Sequence, residues 1–389
     1  MLRYSGIRLS KVMVLFLFFS ILGVVFNLSI FATGAEETKN PPLTLQDAVK
    51  ITLEQGSDMR KATLDLQQSE VTYKQNKADL LLHPSILSQL SNETTLLVAQ
   101  RNIEIIKANQ IQTVEESYDN VLKAQRTVAL ARENVARSKK QLDNVNAKFS
   151  LGMVAQIDVL SAELELSKAE TDQNNSESNL EILKMQLNRI LGRDLKSPLE
   201  LASELMFTPV DVDPEKSLEF ALAHRLEIKK AEDALTLETK GVEVNANDFT
   251  PALVQKKSQV SLEQARLDLE STRQNITIEV RQNYETVKNA ERNVPLQEKT
   301  LTKAKETLRI AEARFDAGVI TSIELIDARN AVYQAENAYL QAVFDYNVGK
   351  AKFYNSLGMS SEERMKSISS EAPPPVSENP VPQASPKNQ

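Results

Sequence analysis

The sequence has no cysteine and no tryptophan, only two histidines, and 10 glycines in 389 residues. Without cysteine there is no disulfide scaffold, no thiolate zinc site and no thiol nucleophile. His83 and His224 lie far apart in the chain and read as ordinary helix-end residues, so neither a histidine metal cluster nor a histidine-centred triad is expected. No G-x-G-x-x-G, Walker-type G-K-[ST] or H-E-x-x-H occurs. The reading is of a chain that is not an enzyme and carries no cofactor or metal. Little glycine and 5% aromatic residues also disfavour most compact enzyme folds and point to helix. Basic charge is short as well. Setting aside Arg3, Arg8 and Lys11 near the start leaves 43 basic against 53 acidic residues, a net charge near −10, with no dense basic patch. A phosphate-binding surface needs the opposite balance, so nucleic acid is not a partner.

One apolar run stands out. Residues 1–35 open with basic residues, continue uncharged from Val12 to Ala32, and end in the small residues Ala32, Thr33, Gly34 and Ala35. This is the pattern of a cleaved export signal; an uncleaved membrane anchor is the alternative. Either way the rest of the chain works outside the cytoplasm.

The chain repeats itself. At an offset of 166 residues, Phe149-Ser150-Leu151-Gly152 falls on Phe315-Asp316-Ala317-Gly318, Tyr118 on Tyr284, and Leu191-Gly192 on Leu357-Gly358. Near the start of each half the offset is 169, pairing Leu53 with Leu222 and Lys61-Ala62 with Lys230-Ala231. Inside each half one seven-residue register stays apolar: Val114, Val121, Val128, Val135, Leu142 and Phe149, then Val280, Val287, Val294, Leu301, Leu308 and Phe315. A sustained period of seven indicates supercoiled helices. Three residues on from the first register come Ser117, Ala124, Ala131, Ser138 and Val145, small enough for helices to lie close side by side. A two-stranded coiled coil is the plainer alternative.

Breakers divide the chain into a first helical repeat over 36–192, a linker over 193–214, a second repeat over 215–358 and a Pro/Ser-rich tail over 359–389 expected to be disordered. Within the first repeat a helix is expected from about Thr44 to Leu82, a second from about Leu96 to Phe149, and a third after the turn at Leu151-Gly152. Pro295 predicts a kink in the second repeat only.

Four features occur together and in order: the leader, the duplication, an opening Leu45-Gln46-Asp47-Ala48, and two similar turn sequences. The turns are Phe149-x-x-Gly152 followed by Ile157-Asp158-Val159-Leu160, and Phe315-x-x-Gly318 followed by Ile323-Glu324-Leu325-Ile326-Asp327-Ala328. In this the chain resembles the TolC family of outer-membrane efflux proteins over residues 44–358. The resemblance implies a homotrimer whose six half-repeats form an α-barrel of twelve helices. That barrel would be a passive exit duct in the cell outer membrane and periplasm, docked by its helix-turn-helix tips on a periplasmic adaptor and an inner-membrane pump. The alternative is an extracytoplasmic coiled-coil spacer without a lumen.

The family also inserts membrane strands between the first two helices of each half, and here the sequence departs from it. Pro84 to Leu96 leaves 11 residues and Pro251 to Leu262 leaves 10, whereas two spanning strands need about 9–11 residues each plus a loop. A mainly α fold with the membrane β-barrel absent or vestigial is therefore expected. If the first helix is longer, it runs into the second through a tight turn.

The resemblance assigns Glu324 and Asp327 to rings of carboxylates at a narrow entrance, favouring cations. Thr321-x-x-Glu324 is equally a helix capping box. Asp158, opposite Glu324, reads as a cap or latch. Gly152 and Gly318 read as turn residues, with Phe149, Leu151, Val154, Phe315 and Val319 as candidate adaptor contacts or as packing of the hairpin end.

Overall fold

A computed structural model describes residues 42–210 and 212–370. The leader, the residues just after it and the tail beyond 370 lie outside the described residues. The described part is mainly helical. Its first half comprises α1 (Leu45–Gln55), α2 (Ser57–Leu82), α3 (Ile86–Ser150) and α4 (Gln156–Ile190). The second comprises α5 (Pro214–His224), α6 (Leu226–Asn245), α7 (Ala252–Asp316) and α8 (Ser322–Ser356), and α9 (Ser361–Ser370) follows.

The duplication is written into the helix ends. The bounds 86, 150, 156 and 190 of α3 and α4 recur 166 residues later as 252, 316, 322 and 356 in α7 and α8. Both long helices have 65 residues, roughly 100 Å at about 1.5 Å per residue. The three-residue drift in offset falls in one place. α2 has 26 residues and α6 only 20, and the turns that follow them are 83–85 and 246–251. These turns of three and six residues hold no strand; among the described residues the only β pairing is an isolated bridge between Leu43 and Leu201.

The second helix starts ten residues earlier than the sequence suggests, at Ile86. Ser85 accepts a hydrogen bond from the Ser88 backbone N–H, 3.2 Å, and so caps a segment whose serines read as a loop. α7 likewise runs unbroken past Pro295.

The long helices lie side by side. α3 packs along α4 on one flank and α8 on the other, and α8 packs in turn along α7, giving the lateral order α4, α3, α8, α7. Toward the opposite ends of α3 and α7 the order is α2, α3, α6, α7. The apolar register predicted from the sequence is the seam: Val114, Val121 and Val128 are buried, and so are Val280, Val287 and Val294. Ala124, Ala131, Ser138 and Val145 are buried too, as close helix approach requires. Toward the turn at 151–155 the first register opens, through half-buried Val135 and Leu142 to exposed Phe149.

Two apolar cores sit near the middle of the long helices. In the first, Ala48 and Val49 of α1 meet Ile111, Val114 and Tyr118 of α3 and Leu187 of α4. In the second, Ala221 of α5 and Ile228 of α6 meet Val280 and Val287 of α7 and Tyr346 and Phe353 of α8. The non-helical residues 197–210 tie these cores together: Leu199 and Leu201 pack on the first, Phe207 on the second and Leu205 on both. Leu43 O accepts from the Ala202 N–H at 2.9 Å and the Tyr118 hydroxyl at 2.8 Å, while the Tyr346 hydroxyl donates to Thr208 O at 2.9 Å. Pro214, counted with the linker from its composition, is instead the first residue of α5, where its missing N–H costs nothing, and Asp213 caps it.

The tail expectation is corrected at its start, because residues 361–370 form α9. Ser360 and Glu363 make a reciprocal cap: the Glu363 carboxylate accepts the Ser360 N–H at 2.8 Å and the Ser360 hydroxyl accepts the Glu363 N–H at 3.3 Å. Arg364 then reaches Glu115 of α3 at 2.5 Å in a nearly buried ion pair and lies over the Tyr354 ring, while Ile368 joins the first core. The proline content that signals disorder begins only beyond residue 370.

Candidate functional site at the hairpin tips

Both long hairpins turn at the same end of the molecule in the same way. In the first, the Gly152 N–H donates to Phe149 O and the Met153 N–H to Lys148 O, both 2.9 Å; in the second, the Gly318 N–H donates to Phe315 O at 3.0 Å and the Val319 N–H to Arg314 O at 2.8 Å. Each glycine has φ of 71°. This nested pair of bonds closes a helix only with a left-handed residue, which is why glycine stands at both positions.

The exposed faces differ. Leu151, Met153 and Val319 project into solvent and Val154 is half-buried. Phe149 and Phe315 occupy equivalent positions, yet Phe149 is 44% exposed and Phe315 only 6%. Phe315 packs with Ala311 and Leu325, and the Lys148 ammonium of the neighbouring hairpin sits 3.7 Å from its ring centre. Phe315 therefore packs the hairpin end and leaves the exposed surface to Phe149, Leu151 and Val319.

The first turn of α8 carries the two acids. The Glu324 carboxylate accepts the Thr321 N–H at 2.8 Å and the Thr321 hydroxyl at 3.0 Å, and the hydroxyl accepts the Glu324 N–H at 3.3 Å. The backbone bond, then the hydroxyl, hold the carboxyl below its ordinary range, so Glu324 is charged at neutral pH. Asp327, one turn on, is exposed and makes no hydrogen bond or ion pair among the described residues. The two open a largely polar stripe along one face of α8: at spacings of three and four it continues through exposed Ala331 and Gln334, passes half-buried Ala338, and resumes at exposed Gln341 and Asp345. Asp158 has the simpler role: it accepts the Ala155 N–H at 3.0 Å, and the Ala155 methyl cannot return the bond.

A buried polar cluster behind these acids escaped sequence reasoning. Arg329 of α8 donates to Gln141 of α3 at 3.0 Å and pairs with Glu312 of α7 at 3.3 Å, while Gln141 donates to Ser322 at 3.3 Å. The first turn of α8 is thereby tied to both long helices. The signal was present: Asn134 and Gln141 stand seven residues apart inside an otherwise small, apolar seam, where a polar residue fixes register. The histidines lie far from this end. His83 caps α2, and His224, in the last turn of α5, stacks on Phe220.

The sequence pattern of the family described as outer membrane efflux protein matches residues 252–359, which hold α7 and α8. The outer membrane protein TolC of Vibrio cholerae is 22% identical over 359 residues, 80% of this chain and 81% of that protein. TolC of Escherichia coli K12 is 22% identical over 316 residues, 68% of this chain; the chain spans 64% of its length. The Campylobacter jejuni CmeC outer membrane channel shares the fold, with a TM-score of 0.70 at 13% identity over 84% of this chain and 89% of that one. Together with the duplicated hairpins and their matched glycine turns, these matches make the chain similar to outer membrane efflux proteins: the family pattern covers α7 and α8, and the fold of such channels is shared over most of the chain.

Proposed function

We propose that the protein is a passive exit duct at the outer membrane, built from three copies whose hairpins close side by side into a tube. The observation that carries this reading is a mirrored pair of edges. Inside the chain, the flank of α3 meets the flank of α8. The 166-residue repeat makes α7 the counterpart of α3 and α4 the counterpart of α8, and these are the two unpartnered edges. Leu130 of α3 is 3% exposed and its counterpart Leu296 is 58%; Ile326 of α8 is 9% exposed and its counterpart Leu160 is 51%. The edges are apolar where the internal junction is apolar, as a surface meant to be covered is.

Charge repeats as well. Arg137 pairs with Glu336 across the internal junction at 3.8 Å, and the counterparts Lys303 and Glu170 keep the signs. Lys148 covers Phe315, and the counterparts Arg314 and Phe149 keep cation and ring. A second copy placed on the α7 edge would thus pair its Glu170 with Lys303 and its Phe149 with Arg314. A lateral contact of this kind is head to tail, and in the proposed trimer its rotation closes a ring.

In that ring the polar stripe on α8 faces the lumen, and Glu324 and Asp327 form two circles of carboxylate at the tip entrance, drawing cations and resisting anions. The exposed turn residues around Leu151 and Val319 receive a periplasmic adaptor, and a pump beyond it supplies the energy. The test joins stoichiometry to conduction. Three copies per particle and discrete single-channel currents in a planar bilayer support the duct. A stable monomer or dimer without conductance would leave a spacer. Lys303→Glu should weaken assembly, and Lys303→Glu combined with Glu170→Lys should restore it.

A further inference from the structure

The end of the molecule opposite the tips has its own apolar surface. Its two turns, 83–85 and 246–251, sit at one level, because α3 and α7 begin at equivalent positions of the repeat. Phe249 is 96% exposed, and Leu81, Leu82, Ile86 and Leu253 range from 72% to 84%. Of the exposed large apolar side chains in the described residues, only Leu151 at the tip falls within that range. A quarter of the chain is charged, yet residues 80–92 and 249–255 contain no Asp, Glu, Lys or Arg. Water-facing turns between long helices have no reason to be so composed.

Several polar groups of the second turn are also satisfied within it. Asn247 Oδ1 accepts the Phe249 N–H at 3.0 Å and the Thr250 hydroxyl at 3.1 Å, and Gln255 Nε2 donates to Asn247 O at 2.9 Å and Thr250 O at 3.2 Å. In the first turn the His83 N–H donates to Asp79 O at 2.9 Å, and Ser85 caps α3. Each hydrogen bond already made inside a turn lowers the cost of its leaving water. Lys256 and Lys257, exposed just past the uncharged stretch, are placed to reach phosphate headgroups. Asp248, exposed beside Phe249, is the one charge at the apex and keeps the second turn shallow.

We propose that these two hairpin ends are a lipid-docking surface, entering the headgroup and upper acyl region of a phospholipid bilayer as wedges without spanning it. The uncharged helical turn from Ile86 to Leu90 is about 6 Å long, which suits the roughly 5–10 Å to which interfacial segments sink. The inference goes beyond the duct reading and uses only its outer-membrane location.

The absence of cysteine makes the test direct. Phe249→Cys, Leu82→Cys and, at the opposite end, Leu151→Cys are each labelled with an environment-sensitive fluorophore on the full chain. The proteins are then mixed with vesicles of phosphatidylethanolamine and phosphatidylglycerol, with and without brominated acyl chains. The expected result is a blue shift at 249 and 82 that brominated lipid quenches, with water-like emission retained at 151. Water-like emission at 249 and 82 in the presence of vesicles overturns the proposal, even where another segment holds the chain to them. So does a blue shift that exists without lipid and disappears on dilution, which marks a second copy as the occupant. A chain that conducts nothing but whose labels enter lipid refutes the duct and leaves this inference standing.

Discussion

Four glycines at φ near 71° end the four longest helices of the two repeats, and two of them sit in open space while two are packed tight. A Cβ built on Gly152 or Gly318 at the tips meets nothing within 4 Å. On Gly192 it would lie 2.4 Å from Gln55 O, and on Gly358 2.9 Å from the Arg225 Cδ. The same turn thus serves two purposes. At mid-length it lets the end of α4 press on the joint between α1 and α2, and the end of α8 on the joint between α5 and α6. At the tip it only reverses the chain and leaves the turn surface exposed.

The sharpest way to break that contrast is substitution. Gly192→Ala should cost about 3 kcal/mol, left-handed strain and overpacking combined, and chemical denaturation would measure it. Arg225→Ala should follow at about 2 kcal/mol, because Arg225 donates to Ser356 O at 2.9 Å and pairs with Glu227 and Glu279. Gly318→Ala should cost only about 1 kcal/mol from backbone strain. Equal losses at Gly192 and Gly318 would mean that mid-length packing adds nothing to the turn.

Smaller effects separate capping from conduction at the tip. Thr321→Ala should lose about 1 kcal/mol of helix capping with ion selectivity kept. Asp327→Asn should leave stability within about 0.5 kcal/mol while cation preference in bilayer currents falls. pH sharpens the same point. Because the folded-state pKa of Glu324 is depressed, its contribution is present above the ordinary carboxylate range and is lost as pH falls through the lower folded value. Hydrogen exchange at the Thr321 amide should therefore stay protected on mild acidification and rise only below that range.

The repeat, its glycine turns and the apolar seam were legible because each is a property of spacing, and spacing survives in a string of letters. Ile86 as a helix start was harder. Its neighbours are serines, and only the Ser85 cap, a local hydrogen bond, turns them from loop into first turn. α9 was hidden for a different reason: Ser360-x-x-Glu363 is a weak signal beside a proline-rich tail, and what holds the helix is Glu115, 249 residues from Arg364. The Gln141–Arg329 cluster depended on which helices become neighbours, which no single helix announces. The acids at 324 and 327 were found by resemblance, and the structure adds that Glu324 is occupied as a cap while Asp327 is free of hydrogen-bond partners among the described residues.

The three residues by which the halves differ lie in α2 and the turn after it, as against α6 and its turn, at the end away from the tips. Every helix that must match a neighbour over its whole length kept its length through the divergence of the two copies: 65 against 65, 35 against 35, 11 against 11. One residue added inside α3 or α4 would rotate each later side chain of that helix about 100° off its seam. One added at the far turns displaces nothing that follows. That rim is where the chain can be edited, lengthened or decorated without refolding the wall, and the difference between α2 and α6 is the trace of such an edit already made.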